Sequence, residues 1–137
     1  MARVRVEDAT AAILVEDAVI AGDAGEIVDP GGLANQLEGG FIQSLSWTLK
    51  ERVRFDAAGV ESLDWESYPI LRFQEVPPIR TVLLDRPGEP YLGAGEAVTG
   101  PTVAAVANAV RDAIGVSMRN LPFTPERVRE DALSATA

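Results

Sequence analysis

Apolar and polar residues alternate at the start of the chain with the period of two that a strand produces. Arg3 to Glu7 reads Arg-Val-Arg-Val-Glu, and Ala11 to Ala21 carries Ile13, Leu14, Val15, Val19 and Ile20. The second stretch fits one longer strand or two short ones. Its closeness to the first predicts an antiparallel pair. A loop from Gly22 to Pro30 follows, punctuated by Gly22, Gly25 and Asp29-Pro30. The period then changes. Leu33, Leu37, Phe41, Leu45 and Leu49 recur every four residues within Gly31 to Phe55, and Ile42 and Val53 widen the stripe. This is the apolar face of a helix. Gly39-Gly40 interrupts it, at roughly 1 kcal/mol per glycine relative to alanine. The pair reads equally as a tolerated weak point or as a place where another backbone or a cofactor comes close.

Past the helix the pattern shortens. Asp56 to Gly59 reads as a turn, Val60 to Trp65 as a short strand and Trp65 to Pro69 as a loop. Leu71 to Val76 leads into Pro77-Pro78, which suits an extended edge. Ile79 to Leu84 is rich in strand formers, and Pro87 to Gly95 is loop. Pro101 suits the first turn of a second helix. Val103, Val106, Val110 and Ile114 follow at helical spacing, with Gly115 as C-cap. Leu121 to Pro125 reads as extended. Glu126 to Ala137 reads as a charged, then small-residue tail that frays. Strands and helices in this order, without strict alternation, predict an α+β fold. The expectation is a mixed sheet of short strands packed against two main helices, in a single domain over residues 1–137.

Charge and composition narrow the chemistry. The 12 basic and 21 acidic residues leave a net charge of −9, which argues against a nucleic-acid partner or an anionic membrane surface. Cysteine and histidine are absent. That removes a thiol nucleophile, a Ser-His-Asp triad, a Cys-ligated cluster and the common zinc sites. Acid–base work falls to Asp, Glu, Lys or Tyr. No apolar run reaches the 18 or so residues of a membrane span, and Met1 to Asp8 lacks a signal-peptide core. The expected location is cytoplasmic, or periplasmic if the chain is exported with a partner.

The candidate site is Gly93-Ala94-Gly95-Glu96, just before the second helix. Glycines at 93 and 95 allow positive φ and close backbone approach. Glu96 is then a carboxylate on a turn with little side-chain bulk around it. Its residues alone leave two uses open: an acid near the positive end of a helix, or an acid presented to a ligand. The pairs Glu7-Asp8 and Glu16-Asp17 read as solvated strand ends, and Trp47 and Trp65 as packing residues.

These pieces come in an order that resembles the C-terminal part of the molybdopterin-binding subunit of the xanthine dehydrogenase / aldehyde oxidase family, in its isoquinoline 1-oxidoreductase-like branch. The matching stretches are Val28-Asp29-Pro30, Gln36 to Leu45, Tyr68 to Arg72, Glu75-Val76-Pro77, Gly93 to Glu96, Ala107 to Val110 with Asp112-Ala113, and Leu121-Pro122. They span about residues 18–128. The resemblance implies a molybdenum–pterin cofactor, molybdopterin or its cytosine dinucleotide, shared with a partner chain. It implies hydroxylation of an aldehyde or N-heterocycle with water as the oxygen source. Glu96 then matches the general base, and Gln36 and Gly95 match cofactor-binding positions; molybdenum itself is held by the pterin, not by side chains. Where the family usually has proline after this glutamate, this chain has Ala97. The implied partners are the remainder of the molybdenum-binding subunit and an iron–sulfur subunit. The chain would be a separately encoded piece of a split enzyme, an excised piece or a truncated remnant. On the last reading it is a non-catalytic interaction module, or a homodimer formed through the uncovered surface.

Overall fold

The computed structural model describes residues 1–135. The two alternating stretches form β1 (Ala2–Val6) and β2 (Ile13–Asp23), paired antiparallel from Ala2 opposite Ala18 to Val6 opposite Ile13. A register shift between Arg3 and Val4 marks a bulge. β2 is one long strand.

α1 (Pro30–Leu49) begins where Asp29 accepts the Gly32 N–H on Oδ1 at 2.9 Å, an N-cap that satisfies one of the first-turn amides. Leu37, Phe41 and Leu45 are its buried stripe. The helix ends at Leu49, short of the expected Phe55, because other partners take the backbone beyond it. Ser46 O accepts both the Lys50 and the Glu51 N–H groups. Arg54 donates its N–H to Ser62 Oγ and accepts from the Glu61 N–H. Phe55 thus enters a small hairpin of β3 (Phe55–Asp56) and β4 (Gly59–Val60). Of the strand expected over Val60 to Trp65, only Val60, the end of β4, is strand. Ser67 and Asp64 close a turn after it, with the Ser67 N–H donating to Asp64 Oδ1 at 2.8 Å. Trp65, expected to pack, is 75% exposed, since that turn carries it away from the core; Trp47 is half-buried.

A short 3-10 turn (Phe73–Glu75) precedes β5 (Ile79–Leu84). β5 pairs parallel to β2, from Ile79 opposite Ala18 to Leu84 opposite Asp23. Parallel neighbours need a crossover, and α1 provides it. The sheet order is β1-β2-β5, a mixed sheet as expected. α2 (Thr99–Ile114) buries Val106 and Val110 fully and stops at Gly115, where φ is 74°. The expected tail is instead largely a third helix, α3 (Pro125–Ala135). Its Val128 is only 2% exposed, and the Phe123 N–H donates to Thr48 O at 2.6 Å just before it. Val128, with Ala132 packed against the core beside it, and that bond anchor a segment that is otherwise mostly charged or polar. The last two residues of the expected tail lie outside the described residues.

α1 and α2 cover the same face of the sheet. Ala18 and Ile20 of β2 meet Leu37, Phe41, Val106 and Val110 there. The opposite face carries Arg3 and Arg5 paired with Glu16, at 3.6 and 3.1 Å, and the partly exposed Leu14, Val82 and Leu84.

Candidate functional site

The loop between β5 and α2 carries Gly93 to Glu96, and it is tied to the end of β2 by backbone bonds. The Arg86 N–H donates to Gly25 O, the Glu26 N–H to Glu89 O and the Leu92 N–H to Ala24 O, at 3.1, 3.3 and 2.9 Å. Gly25 makes this closeness achievable: its φ is +74°, and a Cβ there would run into the Pro90 carbonyl. Asp23 adds an ion pair with Arg86 at 2.5 Å. The Gly25 N–H and the Arg86 guanidinium hold the Asp23 carboxyl below its ordinary range. None of these tethers involves a motif, so the sequence offered no signal for them.

Gln36 projects from α1 across to this loop. Its Nε2 donates to Gly95 O at 2.7 Å. The structure thus brings together two residues 59 apart in sequence that the resemblance had placed at a cofactor. Glu96 is next to Gly95 and exposed, and its carbonyl accepts the Thr99 N–H at 3.2 Å as the chain turns into α2. α2 has no side-chain N-cap.

The expected use of glycine here needs correction. Neither Gly93 nor Gly95 adopts positive φ. The turn uses backbone conformations open to any residue, with the Gln36 amide bracing it from α1. A Cβ at either position would meet nothing within 4 Å. The fold itself therefore does not demand glycine at 93 or 95; the space over their backbones is open to a group approaching from outside. The Gly39-Gly40 pair divides in the same way. A Cβ on Gly40 would lie 2.7 Å from Val98 Cγ2, whereas one on Gly39 would meet nothing. Gly40 seats Val98, the residue at the head of α2. Gly39 has no packing role among the described residues.

Beside the loop lies a cavity of about 260 Å³, lined in part by Ala21, Asp23, Leu37, Phe41, Gly93 and Ala94. Gln36, Gly95 and Glu96 do not line it. The bare backbone and the amide–acid pair are thus two separate surfaces of one loop. Among the described residues, no group of three or more Asp and Glu side chains is placed to hold a metal ion.

One braced turn thus displays an amide, uncovered glycines and an acid together. Residues 1–77 match the molybdopterin cofactor-binding domain, and the chain belongs to that family. It is 46% identical over 129 residues to a subunit of nicotinate dehydrogenase from Pseudomonas putida, covering 94% of this chain and 11% of the relative. It is 32% identical over 103 residues to the beta subunit of isoquinoline 1-oxidoreductase from Brevundimonas diminuta, covering 75% of this chain and 13% of the relative. Among solved structures, quinoline 2-oxidoreductase from Pseudomonas putida superposes with a TM-score of 0.85 at 30% identity, over 95% of this chain and 18% of that one. The chain therefore spans between about a tenth and a fifth of the proteins it matches.

A molybdenum–pterin is the cofactor of this family, and the residues present fit one side of it. Gln36 keeps its amide oxygen as an acceptor while its nitrogen is held by Gly95 O. The unfilled space over Gly93 and Gly95 allows a flat group to lie against the backbone.

Proposed function

We propose that this chain forms part of the cofactor wall of a molybdenum hydroxylase and supplies its acid–base carboxylate, Glu96. Family membership and the Gln36–Gly95 hydrogen bond support this reading, because that bond holds the Glu96 turn beside the amide that would meet the pterin. The molybdenum–pterin group, when bound, supplies the two-electron oxidation, with water as the source of oxygen. Gln36 Oε1 would accept a hydrogen bond from the pterin edge, and the Gly95 backbone would lie against it. Glu96 Oε would take the proton that the attacking oxygen gives up, a role that needs it within about 3 Å of that oxygen. In the free chain Glu96 faces solvent. The rest of the enzyme must therefore close over it, excluding water and fixing its rotamer. Ala97 leaves this closing to neighbours, since it lacks the ring that would stiffen the turn from within. The substrate class is an aromatic N-heterocycle or an aldehyde. The relatives named for nicotinate, isoquinoline and quinoline favour the heterocycle. The partners are the remainder of a molybdenum-binding subunit and an iron–sulfur subunit.

The test joins this chain, in place of its counterpart, to the remainder of the matching nicotinate dehydrogenase subunit, expressed with that enzyme's other components. Molybdenum content and turnover are then measured. Glu96→Gln is expected to reduce turnover by at least about a hundredfold, the scale of general base catalysis, with molybdenum retained. Turnover at the level of the unsubstituted chimera would remove Glu96 from the mechanism.

A further inference from the structure

Residues 84–93, which lead from β5 toward the Glu96 turn, are exposed within this chain. Tyr91 and Leu92 keep 76% and 66% of their surface open, so core packing does not place this loop. Hydrogen bonds do, and beyond β5 they come from residues 23–27, between β2 and α1. Besides the three backbone bonds and the Asp23–Arg86 pair, the Ile27 N–H donates to Asp85 Oδ1 at 3.0 Å and the Gly88 N–H to Glu26 Oε2 at 3.1 Å. The Leu92 N–H, bonded to Ala24 O, is the one of these tethers nearest Glu96. Gln36 then takes Gly95 O from α1.

The loop is stiff enough to pass a displacement along. The Glu89 N–H donates to Arg86 O at 3.0 Å, closing a turn, and Pro87 and Pro90 have fixed φ. On the facing segment, Gly25 is the position that tolerates no side chain. Its φ of +74° is one that other residues rarely adopt, and an added Cβ would run into the Pro90 carbonyl and lie 3.3 Å from Tyr91 Cα. Both neighbours are backbone, so the loop itself would have to move. Gly93 and Gly95 make no such demand. The conformational need for glycine therefore lies across the clasp at position 25, outside the Gly-Ala-Gly-Glu turn.

We propose that the 23–27 segment is a positioning element for Glu96, with Gly25 and Asp85 as positioning residues. Gly25 sets how closely the Pro90 to Leu92 backbone approaches the end of β2. Asp85 fixes the start of the loop through the Ile27 N–H. Both act on Glu96 through the backbone that carries it. Misplacing a reacting group by about an ångström can cost about a hundredfold in rate, so a clasp of this kind governs turnover from a distance. The inference rests on the reading of Glu96 as the acid–base carboxylate.

The chimera of this chain with the remainder of the nicotinate dehydrogenase subunit tests it, with kcat, KM, molybdenum content and amide exchange of the loop measured together. Gly25→Ala is expected to lower kcat about tenfold or more, with KM and molybdenum content unchanged. Exchange of the Leu92 amide should speed up about tenfold or more. A double-variant cycle separates positioning from general damage. A loop that acts through Glu96 gives no further fall in kcat when Gly25→Ala is added to Glu96→Gln. A further fall by the full factor of the single variant would overturn the inference. Asp85→Ala should also lower kcat, and Asp85→Asn, which keeps the Oδ1 acceptor, should restore it. If Gly25→Ala fails to assemble, or turnover in the double variant is too low to read, this Asp85 pair decides: equal kcat in the two overturns the inference. Unchanged kcat in Gly25→Ala also overturns it, and leaves the enzyme reading standing where Glu96→Gln is still impaired. Full turnover in Glu96→Gln would overturn both.

Discussion

Gly39 and Gly40 are adjacent, both inside α1, and the structure predicts opposite results for the same substitution at each. Replacing either by alanine removes the same backbone entropy and improves helix propensity by roughly 1 kcal/mol. At Gly39 nothing opposes that gain, because a Cβ there meets no atom within 4 Å. At Gly40 the new methyl would sit 2.7 Å from Val98 Cγ2. Val98 cannot easily yield: it is β-branched and stiff at χ1, 8% exposed, and fixed at the head of α2. Overpacking of this kind costs about 1–3 kcal/mol. The propensity gain is common to both variants, so their difference in stability isolates the clash. For a chain of 137 residues each kcal/mol shifts Tm by about 4 °C. Gly39→Ala should melt about 4 °C above the unsubstituted chain. Gly40→Ala should melt about 4–12 °C below Gly39→Ala. Calorimetric melting of the three chains reads this directly. Equal Tm values for the two variants would refute the assignment of Gly40 as the seat of Val98. In the assembled enzyme the ranking gains a second meaning. If Gly39 is kept bare for a neighbour outside the chain, Gly39→Ala will stabilise the free chain yet weaken assembly.

Two further outcomes follow from the same framework. Asp29→Ala removes the α1 N-cap bond to the Gly32 N–H and should cost about 1 kcal/mol, seen as a lower denaturant midpoint at unchanged slope. Glu75 gives the pH dependence. Partial burial pushes its carboxyl up, but the Lys50 ammonium at 2.5 and 2.7 Å and the Arg72 N–H outweigh it and leave the folded pKa below the ordinary range. A group lowered on folding adds stability above its unfolded pKa and loses it as pH falls through the folded one. Stability should therefore drop on acidification below the ordinary carboxylate range, and Glu75→Gln should flatten that drop in melting curves taken across it; an unchanged slope would discount the pair.

Much of the fold was legible because periodicity reports burial on one face. Ile79 to Leu84 and the Gly115 stop stand where the pattern put them. Boundaries failed where the deciding partner lies far along the chain. The end of α1 depends on Glu61 and Ser62 capturing Arg54, which no window around Leu49 contains. α3 was missed because a helix docked by the single buried Val128 has almost no apolar stripe to read. At the site, the residue types were visible but their reason was not. Gly93 and Gly95 looked like conformational glycines, and only their φ values and the empty space around them show that the chain does not need them as such.

The Gln36–Gly95 bond has a consequence for the order in which the molecule is made. A ribosome adds about 5–20 residues per second, so Gly95, 59 positions after Gln36, is synthesised roughly 3–12 s later. Until then Gln36 has no turn to brace and Glu96 does not exist. On the proposed reading, this wall cannot grip a pterin until the Gly95 turn has been made and has met Gln36; the cofactor has to arrive after β5 has closed the sheet.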